Sequence, residues 1–85
     1  MYSAAGCSYC RRAEELLRGK GVSELDRIEV DASPGQLRRM IERSGRRSVP
    51  QIFIGDAHVG GFDDLAALER SGRLDVLLAG SPNPA

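Results

Sequence analysis

Two cysteines three residues apart, in Gly6-Cys7-Ser8-Tyr9-Cys10, are the residues of this chain best placed to do chemistry. Arg11-Arg12-Ala13-Glu14-Glu15-Leu16-Leu17 follows them and reads as a helix, with Cys10, Ala13 and Leu17 at i, i+3 and i+7 on one face. That places Cys7 at or just before the helix start and Cys10 one turn further in. A sulfur at a helix N-terminus faces unpaired backbone N–H groups and the positive end of the helix dipole, which favour the thiolate. Cys7 is therefore the candidate nucleophile. Cys10, on the inward face and close enough to bridge, is the candidate resolving thiol.

Thiol chemistry fixes what such a pair does well. A free thiol with a pKa near ~8.5 is a few per cent ionised at neutral pH, and lowering it to ~5.5 raises the thiolate fraction roughly 30-fold. A Brønsted slope of about 0.4–0.5 takes back roughly 20- to 30-fold in intrinsic nucleophilicity. The gain falls on the leaving-group side, when Cys7 is expelled from a mixed disulfide. The expected chemistry is disulfide shuttling. The competing reading, half of a structural zinc site, requires four ligands. The chain has two cysteines and one histidine, and His58 lies far along the sequence. No protein metal site is expected, and His58 is read as structural or solvent-facing rather than catalytic.

The elements that position the pair follow in order. Met1-Tyr2-Ser3 looks like the end of a strand feeding the turn Ala4-Ala5-Gly6. The first helix runs from Cys7 to about Arg18 and stops at Gly19-Lys20-Gly21, with Glu14 and Arg18 as an i, i+4 pair. Leu25 to Asp31 alternates as a second strand. Ser33-Pro34-Gly35-Gln36 reads as an N-cap, a proline at the first helical position and a capping box. The second helix carries Leu37, Met40 and Ile41 and ends near Ser44-Gly45. Val49 to Ile54 is a third strand led by proline, Gly55-Asp56 a hairpin turn, and Ala57-His58-Val59 a short fourth strand. After Gly60-Gly61, Phe62-Asp63-Asp64 opens a third helix, and Leu74, Leu77 and Leu78 belong to a last helical turn. The order β-α-β-α-β-β-α predicts an α/β, thioredoxin-like fold: a four-stranded mixed sheet, made of a parallel pair and an antiparallel hairpin, flanked by helices.

Eighty-five residues make one domain, expected over 1–79, and the Pro/Gly/Ser/Asn-rich end at 80–85 reads as a disordered tail. No stretch is long enough to span a bilayer, and no basic segment followed by an apolar run marks a signal peptide. The two cysteines then point to a working dithiol in a reducing, cytoplasmic setting. Formal net charge is zero, which argues against general nucleic-acid binding. Eleven of the twelve basic residues are Arg, which reads as genome composition before function. Arg38, Arg39, Arg43, Arg46 and Arg47 form a basic run, either a rim that attracts an anionic ligand or a solvated helix face paired with Glu42.

Three motifs in order carry a resemblance over nearly the whole chain: Cys7-Ser8-Tyr9-Cys10; Ser44-Gly45-Arg46-Arg47-Ser48-Val49-Pro50-Gln51-Ile52-Phe53-Ile54; and Val59-Gly60-Gly61-Phe62-Asp63-Asp64-Leu65. The chain resembles the glutaredoxins, in particular the short bacterial dithiol kind. The resemblance implies a glutathione-dependent oxidoreductase, glutathione being its co-substrate, that acts on protein disulfides and on protein–glutathione mixed disulfides. It implies a monomer whose partners are glutathione and such client proteins, with no membrane or nucleic-acid partner. It also implies a glutathione site of Tyr9, Ser48, Val49, Pro50, Gly61, Phe62, Asp63 and Asp64. Val49-Pro50 resembles the family's cis-proline, which would leave the Val49 N–H and C=O free to pair with an extended peptide as an added strand. Gly60-Gly61 permits close backbone approach, and the helix start beyond it offers N–H donors to a carboxylate, with Asp64 near the γ-glutamyl ammonium. Asp63 also reads as an N-cap.

Three departures from the family pattern stand out. Ser8 replaces the usual proline between the cysteines, as in relatives that hold a 2Fe–2S cluster between two subunits through the first Cys and glutathione. A cluster-binding or carrier dimer ligated by Cys7 is accordingly the alternative function. Ala4 stands where many relatives have lysine, and Leu37 where they have Arg or Gln, with Gln36, Arg38 or Arg39 as candidate substitutes. The first strand is short for an internal position, so either the start lies upstream or a shortened start is stable.

Overall fold

A computed structural model describes residues 1–79; the tail expected at 80–85 lies outside the described residues. The elements are β1 (Tyr2–Ser3), α1 (Ser8–Gly19), β2 (Ile28–Glu29), α2 (Pro34–Ser44), β3 (Ile52–Ile54), β4 (Ala57–Gly60), α3 (Phe62–Ser71) and α4 (Arg73–Leu78). The order is the predicted one, and the final helical turn is a separate short helix.

β1 runs parallel to β2, with Tyr2 opposite Ile28 and Ser3 opposite Glu29. β3 and β4 form the antiparallel hairpin, with a register shift between Ile52 and Phe53. One antiparallel bridge joins the two pairs: Tyr2 N–H donates to the Gln51 carbonyl at 2.9 Å and Gln51 N–H to the Tyr2 carbonyl at 3.1 Å. The strands therefore follow one another as β2-β1-β3-β4 in a mixed α/β arrangement, with β1 inside. Its few residues are partnered on both sides, because Ile28 N–H reaches the Met1 carbonyl and Val30 N–H the Ser3 carbonyl, both at 2.9 Å.

Successive strand residues point to opposite faces, and two cores result. One gathers Met1, Ala13, Leu17, Ile52, Leu65 and Leu74, with Leu16, Val59, Phe62 and Leu68 against them; it lies under α1, α3 and α4. The other gathers Tyr2, Val30 and Met40 with Leu37, Ile41, Val49 and Phe53, beneath α2. Ala13 and Leu17 are buried with Cys10, which confirms the face read from the i, i+3, i+7 spacing. α2 ends as expected, with Gly45 in the left-handed conformation at φ 73°.

Local signals fail in two places. Ser33 is the N-cap of α2 but its side chain makes no capping bond; Pro34 and the backbone contact from Gln36 N–H to the Ser33 carbonyl, 3.0 Å, start the helix instead. The alternating stretch Leu25–Asp31 pairs only over Ile28–Glu29, because β1 offers no longer edge to pair with. The stop of α1 holds: after Lys20, Gly21 takes the left-handed conformation at φ 95°, with the Gly21 N–H on the Arg18 carbonyl and the Val22 N–H on the Leu17 carbonyl.

Candidate active site

Cys7 is the N-cap residue of α1, in an extended conformation (φ −85°, ψ 111°). Its Sγ accepts the Cys10 backbone N–H at 3.1 Å, a bond to a first-turn donor that has no acceptor within the helix. Cys10 is 5% exposed and sits in the helix face turned to the core, whereas Cys7 is partly exposed. The two sulfurs are joined as a disulfide in this structure, with Cα atoms 5.2 Å apart. The positioning is thus the one the spacing predicts: an accessible sulfur at the positive end of a helix and a covered partner one turn on. The turn before them is held by Asp31, whose Oδ2 accepts the Ala5 N–H at 3.1 Å. Asp31 was not singled out in the sequence; its place at the end of a strand, before a Ser-Pro helix start, was the available signal.

Beside the pair lies an open groove of about 330 Å³, lined by Tyr9, Arg46, Ser48, Val49, Pro50, Gly61, Phe62, Asp63 and Asp64. It gathers all eight residues singled out by the motifs and adds Arg46. Tyr9 is half exposed and is the link to the cysteines, its ring 6.1 Å from that of Phe62 and covered by the Arg12 guanidinium at 5.5 Å. Cys7 and Cys10 themselves line a separate cleft of about 140 Å³ with Ala4, Arg11, Glu14 and Arg27. A larger cavity, about 610 Å³, lies against Met1, Ser23, Arg43 and Leu78 and touches neither cysteine.

The groove has two walls. One is Ser48-Val49-Pro50, where the Val49–Pro50 peptide bond is cis. The other is the Gly60-Gly61 turn and the start of α3. Gly61 is the N-cap, and a Cβ on it would make an ordinary contact, 3.6 Å, with the Pro50 carbonyl oxygen. Gly60 takes φ 113°, and a Cβ there would overlap the Asp64 carboxylate. Gly60 therefore has a steric reason to be glycine.

Asp63 is not the cap. The reciprocal contact at this helix start is made by Asp64, whose Oδ2 accepts the Gly61 N–H at 2.9 Å and lies 3.1 Å from Arg46 Nη1. The Gly61 N–H first, and the Arg46 guanidinium second, hold the Asp64 carboxyl below the usual carboxylate range. The remaining first-turn N–H groups of α3 have no intrahelical acceptor, so this end of the groove suits an anion while Asp64 suits a cation. A zwitterionic head group fits both.

The basic run splits up. Arg43 stacks over Phe53 at 4.1 Å and donates to the Tyr2 hydroxyl at 3.1 Å, and Arg46, beyond the end of α2, crosses to Asp64. Among the described residues no ion pair to Glu42 forms, so the solvated face paired with Glu42 is not what organises these two arginines. Leu37 packs into the core under α2, and Gln36, Arg38 and Arg39 do not line the groove. The groove's cation is Arg46. Arg46 was visible only as one of five arginines, because its partner is 18 residues away. Among the described residues no three His, Cys, Asp or Glu side chains converge as a metal site. Toward an iron–sulfur cluster the geometry offers one partly exposed cysteine sulfur, that of Cys7, once the disulfide is reduced.

A model of the Glutaredoxin family matches residues 1–59. Glutaredoxin of Neisseria meningitidis is 54% identical over 78 residues, 92% of each chain. Glutaredoxin 3 of Escherichia coli is 49% identical over 78 residues, covering 92% of this chain and 93% of that one. Among solved structures, the solution structure of glutaredoxin from Brucella melitensis superposes with a TM-score of 0.81 at 52% identity, over 96% of this chain and 89% of that one. The crystal structure of a buckwheat glutaredoxin–glutathione complex gives 0.84 at 30% identity, over 93% and 74%. The chain belongs to the glutaredoxin family and, with a Cys7–Cys10 pair able to close into a disulfide, is a thiol–disulfide oxidoreductase.

Proposed function

We propose that this chain is a glutathione-dependent oxidoreductase that reduces protein–glutathione mixed disulfides and protein disulfides, with Cys7 as nucleophile and Cys10 as resolving thiol. The observation that carries the reading is the groove beside Tyr9. It offers the Val49 backbone beside the cis bond, a helix start for a carboxylate and the Asp64 carboxylate for an ammonium, which are the complements of a short peptide with a zwitterionic γ-glutamyl end. The buckwheat relative, solved with glutathione, supports it.

In the proposed cycle the Cys7 thiolate attacks the glutathione sulfur of a protein mixed disulfide. The protein thiolate leaves and is protonated, and Cys7 carries the glutathione. A second glutathione thiolate attacks that sulfur, Cys7 leaves as thiolate, and glutathione disulfide is released. For a protein disulfide, Cys7 forms the mixed disulfide with the client, and the Cys10 thiolate then attacks Cys7 Sγ and expels the client thiol. Glutathione reduces the resulting Cys7–Cys10 bond. Glutaredoxin potentials of roughly −200 to −230 mV are compatible with reduction by the glutathione pool. The clients are disulfide-bearing or glutathionylated proteins, and the setting is a reducing cytoplasm in which the chain works as a monomer.

The test is glutathione-dependent reduction of a glutathionylated peptide by the wild type, Cys7→Ser and Cys10→Ser. Cys7→Ser is expected to be inactive. Cys10→Ser is expected to keep a substantial share of activity on the glutathionylated peptide and to lose turnover on a protein disulfide. A folded, reduced wild type without activity on the glutathionylated peptide overturns the reading.

A further inference from the structure

Gln51 is a wholly buried polar side chain next to the groove, and neither the cycle nor the ligand contacts use it. Its backbone is spent on the bridge to Tyr2. Its carboxamide is spent in two directions. Nε2 lies 3.0 Å from the Ser48 carbonyl oxygen and 3.4 Å from the Ser48 hydroxyl, and Oε1 lies 2.8 Å from His58 Nε2. A carbonyl oxygen only accepts, so the Ser48 side must face the amide NH₂ and the His58 side must face Oε1. Oε1 only accepts as well, so His58 carries its proton on Nε2. The chain of contacts has one consistent direction, His58 N–H to Gln51 Oε1 and Gln51 N–H to the Ser48 carbonyl.

The Ser48 carbonyl shares a peptide plane with the Val49 N–H. That peptide is trans, the only cis bond among the described residues being Val49–Pro50. In a trans peptide the C=O and N–H point in opposite directions. Holding the Ser48 oxygen toward the buried carboxamide therefore turns the Val49 N–H away from the interior, on the stretch of chain that lines the groove. The imidazole is itself fixed. His58 is opposite Phe53 in the hairpin register, the two rings are 4.8 Å apart, and Phe53 is in turn covered by Arg43 at 4.1 Å.

We infer that Gln51 and His58 are positioning residues for the ligand groove: His58 fixes the Gln51 carboxamide, and Gln51 aims the Val49 N–H at the peptide that pairs with it. The inference rests on the reading of the groove as a glutathione site. It gives the lone histidine, an exposed residue of β4, a role at a distance from the sulfurs, and it assigns a groove function to a side chain that lines no part of the groove.

The test uses His58→Phe, which keeps a ring against Phe53 and removes the N–H, and His58→Gln, which returns an N–H at similar reach. Three quantities are read: kcat and KM on a glutathionylated peptide, the single-turnover rate of the reduced protein on an intramolecular peptide disulfide without glutathione, and the melting temperature. His58→Phe is expected to raise KM about three- to tenfold with kcat within about twofold, the size of one neutral hydrogen bond. The peptide-disulfide rate is expected to hold, and His58→Gln to recover most of the loss. An unchanged KM in a folded His58→Phe overturns the inference alone. So does a parallel fall of both rates and of the melting temperature, which is the mark of a purely structural role. A folded, reduced wild type without activity on the glutathionylated peptide overturns the glutathione reading itself, and the inference with it.

Discussion

The Asp64 carboxylate meets two chain segments at once: Arg46, whose guanidinium lies at 3.1 Å, and Gly60-Gly61, where it accepts the Gly61 N–H at 2.9 Å and fills the space in which a side chain on Gly60 would stand. Its contribution to folding has a definite pH dependence. The carboxyl is held below its ordinary value by the Gly61 N–H and then by Arg46, so its stabilisation is fully present above the unfolded value. It is lost as pH falls through the lower folded value, hence below about pH 4. The group is partly exposed and its ion pair screened, so the effect is small. Chemical denaturation of wild type and Asp64→Asn at pH 6 and at pH 3 checks it: the wild-type advantage is expected to shrink at pH 3. A gap that widens on acidification contradicts the assignment.

At the scale of elements, α3 is the piece whose seating matters most to the site, because its first turn is a wall of the groove. Leu65, at the end of that turn, is wholly buried against Ala13 and Leu17 of α1 and Leu74 of α4. Leu65→Ala is expected to cost about 2–5 kcal/mol, read from urea denaturation. The same variant is expected to raise KM for a glutathionylated peptide more than it lowers kcat, since it loosens Asp64 and leaves Cys7 at the head of another helix. The helices themselves were legible in the sequence. The apolar spacing from Cys10 to Leu17, the proline at 34 and the glycine at 45 each act within one helical turn, and the structure keeps them. The hairpin at Gly55-Asp56 was legible for the same reason. What the sequence hid depends on neighbours distant along the chain. β2 is cut to two residues by the length of β1. Asp64 rather than Asp63 answers the cap because Gly61, not Phe62, precedes the first helical residue. The contacts of Arg46 with Asp64 and of His58 with Gln51 exist only once the strands are in register.

Across the whole molecule, basic and acidic residues cancel to a formal net charge of zero. Long-range attraction of an anionic peptide is therefore weak, and recognition is left to contacts inside the groove. Raising ionic strength from 0.05 to 0.5 M is expected to change kcat/KM on an acidic glutathionylated peptide by less than about threefold. A drop of tenfold or more would show a local arginine field dominating the encounter. The groove also has an economy of construction. Its wall at 48–50 leads into β3 and its wall at 61–64 leads out of β4, so the two walls are the two ends of one hairpin, with Ile52 opposite Gly60 just behind them. The spacing between strands acts as a caliper for the slot: the same backbone hydrogen bonds that close the hairpin set how wide a peptide it grips. A shift of register would change the gauge and the facing of the strand side chains behind the jaws together, so the grip can be retuned only by substitutions that leave the pairing alone.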